Sequence, residues 1–193
     1  MLRPLYDKTL QWAAHPKALT ILFIVSFVES SIFPIPPDIM LIPMILAARH
    51  KAWRIAAVCT VASVLGGLAG YGVGYFFFEE FGKPVLEFYG KAERFGEFQA
   101  MYNEWGAWAV FIAGLTPFPY KVVTILSGLT HLDLIIFTVS SVLARGLRFF
   151  FVAWLLWKFG EPIRAFIEKR LGPLFVLFCV LLVGGFVALK FLF

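Results

Sequence analysis

Five ionisable side chains lie within apolar sequence: Glu29, Asp38, Lys121, Arg145 and Arg148. Such groups are costly at membrane depth and mark ion or substrate pathways there. Glu29 and Asp38 bracket the prolines Pro34, Pro36 and Pro37, and Lys121 follows Pro117 and Pro119. Desolvation penalises the charged form of a carboxylate, so a Glu in apolar surroundings suits proton uptake and release. Glu29 is therefore a candidate for proton coupling. Arg145 and Arg148 are three residues apart and share one helical face. Arginine stays protonated and grips phosphate through two donors at once. With Lys121 they set three cations against two carboxylates, a surplus that favours an anionic ligand such as a lipid phosphate. Structural alternatives stand beside each role: Glu29 reaching water or an arginine, and both arginines simply pairing with Glu29 and Asp38.

The two proline steps superpose. With Pro34 on Pro117, Pro36 falls on Pro119 and Asp38 on Lys121, so the motif repeats and its terminal charge changes sign. If the two tips meet, Asp38 and Lys121 form either a gate or a purely structural ion pair.

Other chemistry finds no support. His15, His50 and His131 lack metal-ligand spacing, and His131 with Asp133 reads as a turn. Cys59 and Cys179 sit in apolar runs as packing residues. No nucleophile–base arrangement, Gly-rich phosphate loop or thiol pair appears, so the expectation is a protein that is not an enzyme and needs no cofactor or metal.

The elements that must position these residues are membrane helices. Of 193 residues 61% are hydrophobic, with a mean hydropathy of +0.85, which makes this an integral membrane protein. The net charge of +5 lies mostly in short loops, where it orients the chain rather than binding nucleic acid. No cleavable signal peptide is expected, because the first apolar run carries Glu29 and no A-x-A-like site.

Proline removes a backbone donor and clashes with the preceding turn, so neither proline-bearing segment forms one straight helix. Residues 18–48 would span roughly 45 Å as a single helix, against about 30 Å of hydrocarbon. Broken at Pro34–Pro37, they form a re-entrant hairpin. Residues 52–78 are a plain span with Ala62, Gly66, Gly70 and Gly74 at four-residue spacing, a stripe that suits close internal packing or a homodimer. Residues 79–104 are polar and read as interfacial amphipathic helix, with Phe81, Val85, Phe88, Phe95, Phe98 and Tyr102 on the apolar side. Residues 105–130 are long enough to span once, but Pro117–Lys121 would then sit at the centre of a single helix, so a second re-entrant hairpin is the preferred reading; 134–157 and 173–193 are spans, all within one membrane domain, 1–193. This threading puts ten Lys/Arg on the N-terminal side and only Lys83, Lys91 and Arg94 opposite, as the positive-inside rule prefers for a cytoplasmic N-terminus. The expected fold is all-α: two opposed re-entrant hairpins in an inverted repeat, each followed by a span, plus a C-terminal helix.

At these residues the chain resembles the DedA family, also called the SNARE-associated or VTT-domain family, and most closely its short bacterial YqaA-like branch. The resemblance covers roughly residues 18–160 and rests on Glu29, the proline cluster ending in Asp38, and Gly114 to Lys121 and on to Gly128. It implies two opposed re-entrant hairpins and movement of phospholipid or undecaprenyl phosphate between leaflets, linked to proton motive force, in a bacterial inner membrane. By resemblance, Glu29 and Asp38 match the family's two embedded acids, and Lys121 stands where the second motif usually has Arg. The spacing from Glu29 to Asp38 is shorter than in better-known members. Leu115 replaces that motif's first Arg, which reduces phosphate-gripping capacity in the second hairpin. The first expectation is thus a flippase- or scramblase-like lipid transporter whose partners are membrane lipids. A proton-coupled transporter of a small soluble ion and a non-transporting membrane adaptor are the alternatives.

Overall fold

Both proline steps interrupt helices, for the reason the sequence predicts: a proline inside a ladder lacks the amide that would continue it. In the computed structural model, which describes residues 17–31, 36–88, 90, 92–116, 119–160 and 162, every regular element is helical. Helix α1 (Ala18–Ser31) ends before the first step, and α2 (Asp38–Ala47) starts directly after Pro36 and Pro37. A short 3-10 turn, Arg49–Lys51, leads into α3 (Ala52–Phe77), which continues through a π-turn at Phe78–Gly82 into α4 (Lys83–Phe88). Helix α5 (Ala92–Leu115) stops at the second step, Pro119 caps α6 (Tyr120–Leu129), and α7 (Leu134–Gly160) completes the described chain. Pro34, Pro117, residues 1–16 and the span expected at 173–193 lie outside the described residues.

Two helical runs, Arg49–Phe88 and Leu134–Gly160, are long and apolar enough to cross a membrane. Helix α7 leaves Ile135, Val139, Leu143, Leu147, Phe151 and Trp154 exposed at three- and four-residue steps. Such a stripe suits a lipid-facing surface.

Helix α3 is the axis of the fold. Its glycines let two other helices press backbone to backbone. A Cβ at Gly66 would lie 2.1 Å from the carbonyl oxygen of Phe27 on α1, and one at Gly74 would lie 2.0 Å from that of Ile125 on α6. The contact is reciprocal, since a Cβ at Gly128 on α6 would lie 1.9 Å from the Tyr71 carbonyl oxygen. The stripe read from the sequence therefore serves contacts inside one chain.

These contacts also fix direction. Ser26 meets Cys59 and Ser30 meets Ser63, so α1 runs parallel to the first half of α3. Tyr120 lies against Gly67, Thr124 against Gly70, and Ile125 against Gly74, so α6 runs parallel to the second half. The two short helices meet at mid-length, where Thr124 Oγ1 donates to the Ser30 carbonyl at 3.2 Å. Helix α7 is antiparallel to α3: Phe137 sits by Tyr71, Arg145 by Ser63 and Phe150 by Trp53. Helix α5 is antiparallel to α6, through Tyr102 with Ser127 and Gly114 with Tyr120.

One boundary differs from the sequence reading. Helix α5 runs unbroken across the junction expected at 104–105. Phe95, Phe98, Tyr102, Gly106, Val110 and Ala113 continue one inward face at three- and four-residue steps, while Glu93, Glu97 and Glu104 are exposed on the other side. The charges that suggest a separate interfacial helix are the outer face of a longer one. The His131–Asp133 turn is present: His131 adopts φ 54°, and Asp133 Oδ1 caps α7 by accepting from the amides of Ile135 and Ile136, both at 2.9 Å.

Candidate functional site

The embedded charges gather where α1, α2, α5 and α6 all end or begin. Glu29 lies in the last turn of α1, Asp38 opens α2, and Arg145 and Arg148 face them from mid-α7. Arg145 Nη2 donates to Glu29 Oε2 at 2.8 Å, and Arg148 Nη2 donates to Asp38 Oδ2 at 2.5 Å.

The Arg145 pair belongs to a closed ring of hydrogen bonds. Arg145 Nε donates to Ser63 Oγ at 2.5 Å, and Ser30 Oγ donates to Glu29 Oε2 at 2.9 Å. Ser30 has a single hydroxyl proton, so the 2.7 Å contact between Ser30 and Ser63 must have Ser63 as donor. Every bond then runs from Arg145 towards Glu29. The guanidinium is also covered by two rings, 4.8 Å from the Tyr120 centroid and 4.7 Å from that of Phe149. Tyr120 is itself fixed by a 2.5 Å bond to Ser141. The Arg145 side chain is 1% exposed and Glu29 13%. A buried ion pair needs such full satisfaction to offset its desolvation.

The second pair is more open, with Arg148 19% and Asp38 23% exposed. Arg148 Nη1 also donates to the Thr116 carbonyl at 3.2 Å, a free acceptor because it follows the last residue of α5. The Asp38 carboxylate stands at the N-terminus of α2, where negative charge is favoured.

The structure thus gives Asp38 an ion-pair partner, Arg148, that superposing the two proline steps does not indicate. Lys121 is half-buried in the first turn of α6. Of the expected tip residues, Pro36 and Pro37 precede α2 and Pro119 precedes α6. Ser30, Ser63, Thr116, Tyr120 and Phe149 complete the site and were not singled out from sequence. Thr116 and Tyr120 lie within the Gly114–Lys121 motif, and Ser63 is a small polar residue one turn before Gly67 on the glycine-rich side of α3. Among the described residues no group of His, Cys, Asp and Glu could hold a metal ion.

Comparison with known proteins places the chain in a family. An uncharacterized protein of Haemophilus influenzae is 36% identical over 167 residues, covering 86% of each chain. An HI0703 homolog of Histophilus somni, also uncharacterized, is 40% identical over 168 residues, covering 85% of this chain and 87% of its own. No solved structure gives a significant match. The VTT-domain family model matches residues 35–158, a stretch that holds Asp38, both arginines and the whole second proline step. The chain therefore belongs to the VTT-domain, or DedA, family of membrane proteins.

Proposed function

We propose that this protein moves a lipid with an anionic phosphate headgroup between leaflets, and that it does so as a transporter rather than an enzyme. The single observation that carries the reading is the convergence of two acid–arginine pairs at the point where four helix ends meet beside mid-α3. Charged side chains are rare at that depth unless they handle an ion or a polar substrate. Interrupted helices with their ends at one level are how transporters build a site at the bilayer midplane.

In this reading α1–α2 and α5–α6 are re-entrant hairpins from opposite faces, related as an inverted repeat. The parallel run of α1 and α6 along successive halves of α3 supports it. The headgroup crosses past the arginines while its tails remain in the bilayer. The protein sits in a bacterial cytoplasmic membrane with its N-terminus inside, which the charge asymmetry of the loops supports. Glu29 and Asp38 are the carboxylates assigned to coupling in this reading, Glu29 through its bonds to Arg145 and Ser30 and Asp38 through its bond to Arg148.

The test is purified protein in liposomes carrying labelled lipids of several headgroups, with and without an imposed pH gradient. Protein-dependent lipid movement, faster for anionic phosphate headgroups, is expected. Uptake of a small ion without lipid movement would establish the soluble-ion transporter instead, and absence of both would leave the adaptor reading.

A further inference from the structure

The two acid–arginine pairs differ in construction, and the difference separates their roles. Arg145 is locked, with hydrogen bonds to Glu29 and Ser63 and aromatic rings on its guanidinium. A ligand could reach it only by dismantling the serine ring. Arg148 is reachable, and its two outer nitrogens are divided between two acceptors on two elements. Thr116 stands immediately before the second helix break, and Asp38 immediately after the first. One side chain on α7 therefore ties together the inner ends of both hairpins.

The guanidinium edge that holds Asp38 and Thr116 is a fork suited to two oxygens of a single anion. A phosphate can satisfy both donors alone. Asp38 would then be left beside the phosphate as a like charge, which is repulsive at such separations. The 2.5 Å attraction that now holds α2 to α7 would be replaced by a push away from it.

We infer that Arg148, and not Arg145, is the residue that reads the phosphate, and that a bound phosphate opens the site by displacing Asp38 and the Thr116 carbonyl. This rests on the reading of an anionic phosphate as ligand. The chemistry is shared by a lipid phosphate monoester and a soluble phosphate ester, and the test distinguishes them.

The experiment uses the full chain in phosphatidylcholine nanodiscs, with Cys59→Ala and Cys179→Ala, and spin labels at Ile39 and Leu115. Both labelled side chains are exposed, one at each helix break. One arm adds phosphatidic acid to the nanodisc and the other titrates glycerol 3-phosphate from solution. A longer Ile39–Leu115 distance in either arm supports the inference, and the arm that responds names the source. Asp38→Asn removes the competing anion, so phosphate should bind roughly tenfold more tightly while the distance responds less. Arg148→Gln should abolish the response. If it does not accumulate, Arg148→Lys keeps the charge without the fork and should weaken binding several-fold. An unchanged distance in both arms at saturation overturns the inference, as does a response that survives Arg148→Gln or Arg148→Lys at full strength. So does an Asp38→Asn variant that binds no more tightly. Opening without lipid movement in liposomes would sink the transport reading alone. Lipid movement without opening would sink this inference alone.

Discussion

Removing Glu29 should expose how much of the fold depends on neutralising Arg145. In a Glu29→Met variant the guanidinium, 1% exposed, keeps its bond to Ser63 and its two aromatic faces but loses its counter-charge. Breaking a buried pair at one partner costs about 3–5 kcal/mol, because an uncompensated charge stays in place. The surviving contacts put the expected loss near the lower end, about 3 kcal/mol. Glu29→Gln retains a neutral acceptor and should lose roughly half as much, since charge-assisted hydrogen bonds are about twice as strong as neutral ones. The double variant Glu29→Met with Arg145→Met leaves no charge and fills similar volume, so it should recover to within about 1 kcal/mol of wild type. The assay is reversible unfolding in mixed micelles, followed by the fluorescence of the six tryptophans. The reasoning is refuted if Glu29→Met costs less than about 1 kcal/mol, or if the double variant is no more stable than the worse single one.

Other expectations follow from the packing. Gly128→Ala must force apart two backbones, because its Cβ would sit 1.9 Å from the Tyr71 carbonyl oxygen. It should cost about 1–3 kcal/mol or more in the same unfolding assay, whereas Gly72→Ala has nothing within 4 Å and should gain up to about 1 kcal/mol from helix propensity. Tyr120→Phe keeps the ring over Arg145 but drops the bond to Ser141, for an expected loss of about 1 kcal/mol, read by chemical denaturation. Asp133→Ala removes the cap of α7 and should cost about 0.5–2 kcal/mol, seen as faster hydrogen exchange at the amides of Ile135 and Ile136.

Much of the frame was legible in the sequence because the strongest signals act locally. Pro36, Pro37 and Pro119 stand just before helix starts, where a missing amide costs no helical bond, and Gly66, Gly70 and Gly74 recur at a helical step regardless of what packs on them. Arg145 and Arg148 share a face for the same reason. Pairing of the two arginines with Glu29 and Asp38 is one of the readings the sequence leaves open, but which arginine meets which acid was not legible. Which acid each arginine meets depends on how α1 and α2 register against α7, and no short-range spacing encodes a contact between Arg148 and Asp38. Matching Asp38 to Lys121 compared the hairpins with each other, yet the described pairs on Glu29 and Asp38 run from the acids to α7. The hydroxyl ring is harder still to foresee, because Ser30 and Ser63 are ordinary helix residues until their helices cross. The start of α5 differs from the sequence reading because Glu93, Glu97 and Glu104 suggest an interface when charge is counted along the chain rather than around the helix.

The abutting of α1 and α6 along α3 also bears on the order in which the protein is made. Helix α1 has 14 residues and α6 has 10, roughly 21 and 15 Å long. Together they cover about the thickness of the hydrocarbon layer, although neither does so alone. The ribosome delivers the first half with α1, but the second half arrives only after α3, α4 and α5. Until then, the upper glycines of α3 and the Ser30 carbonyl have no partner from α6. In chain order Glu29 precedes its partner Arg145 by 116 residues, so this contact closes later still.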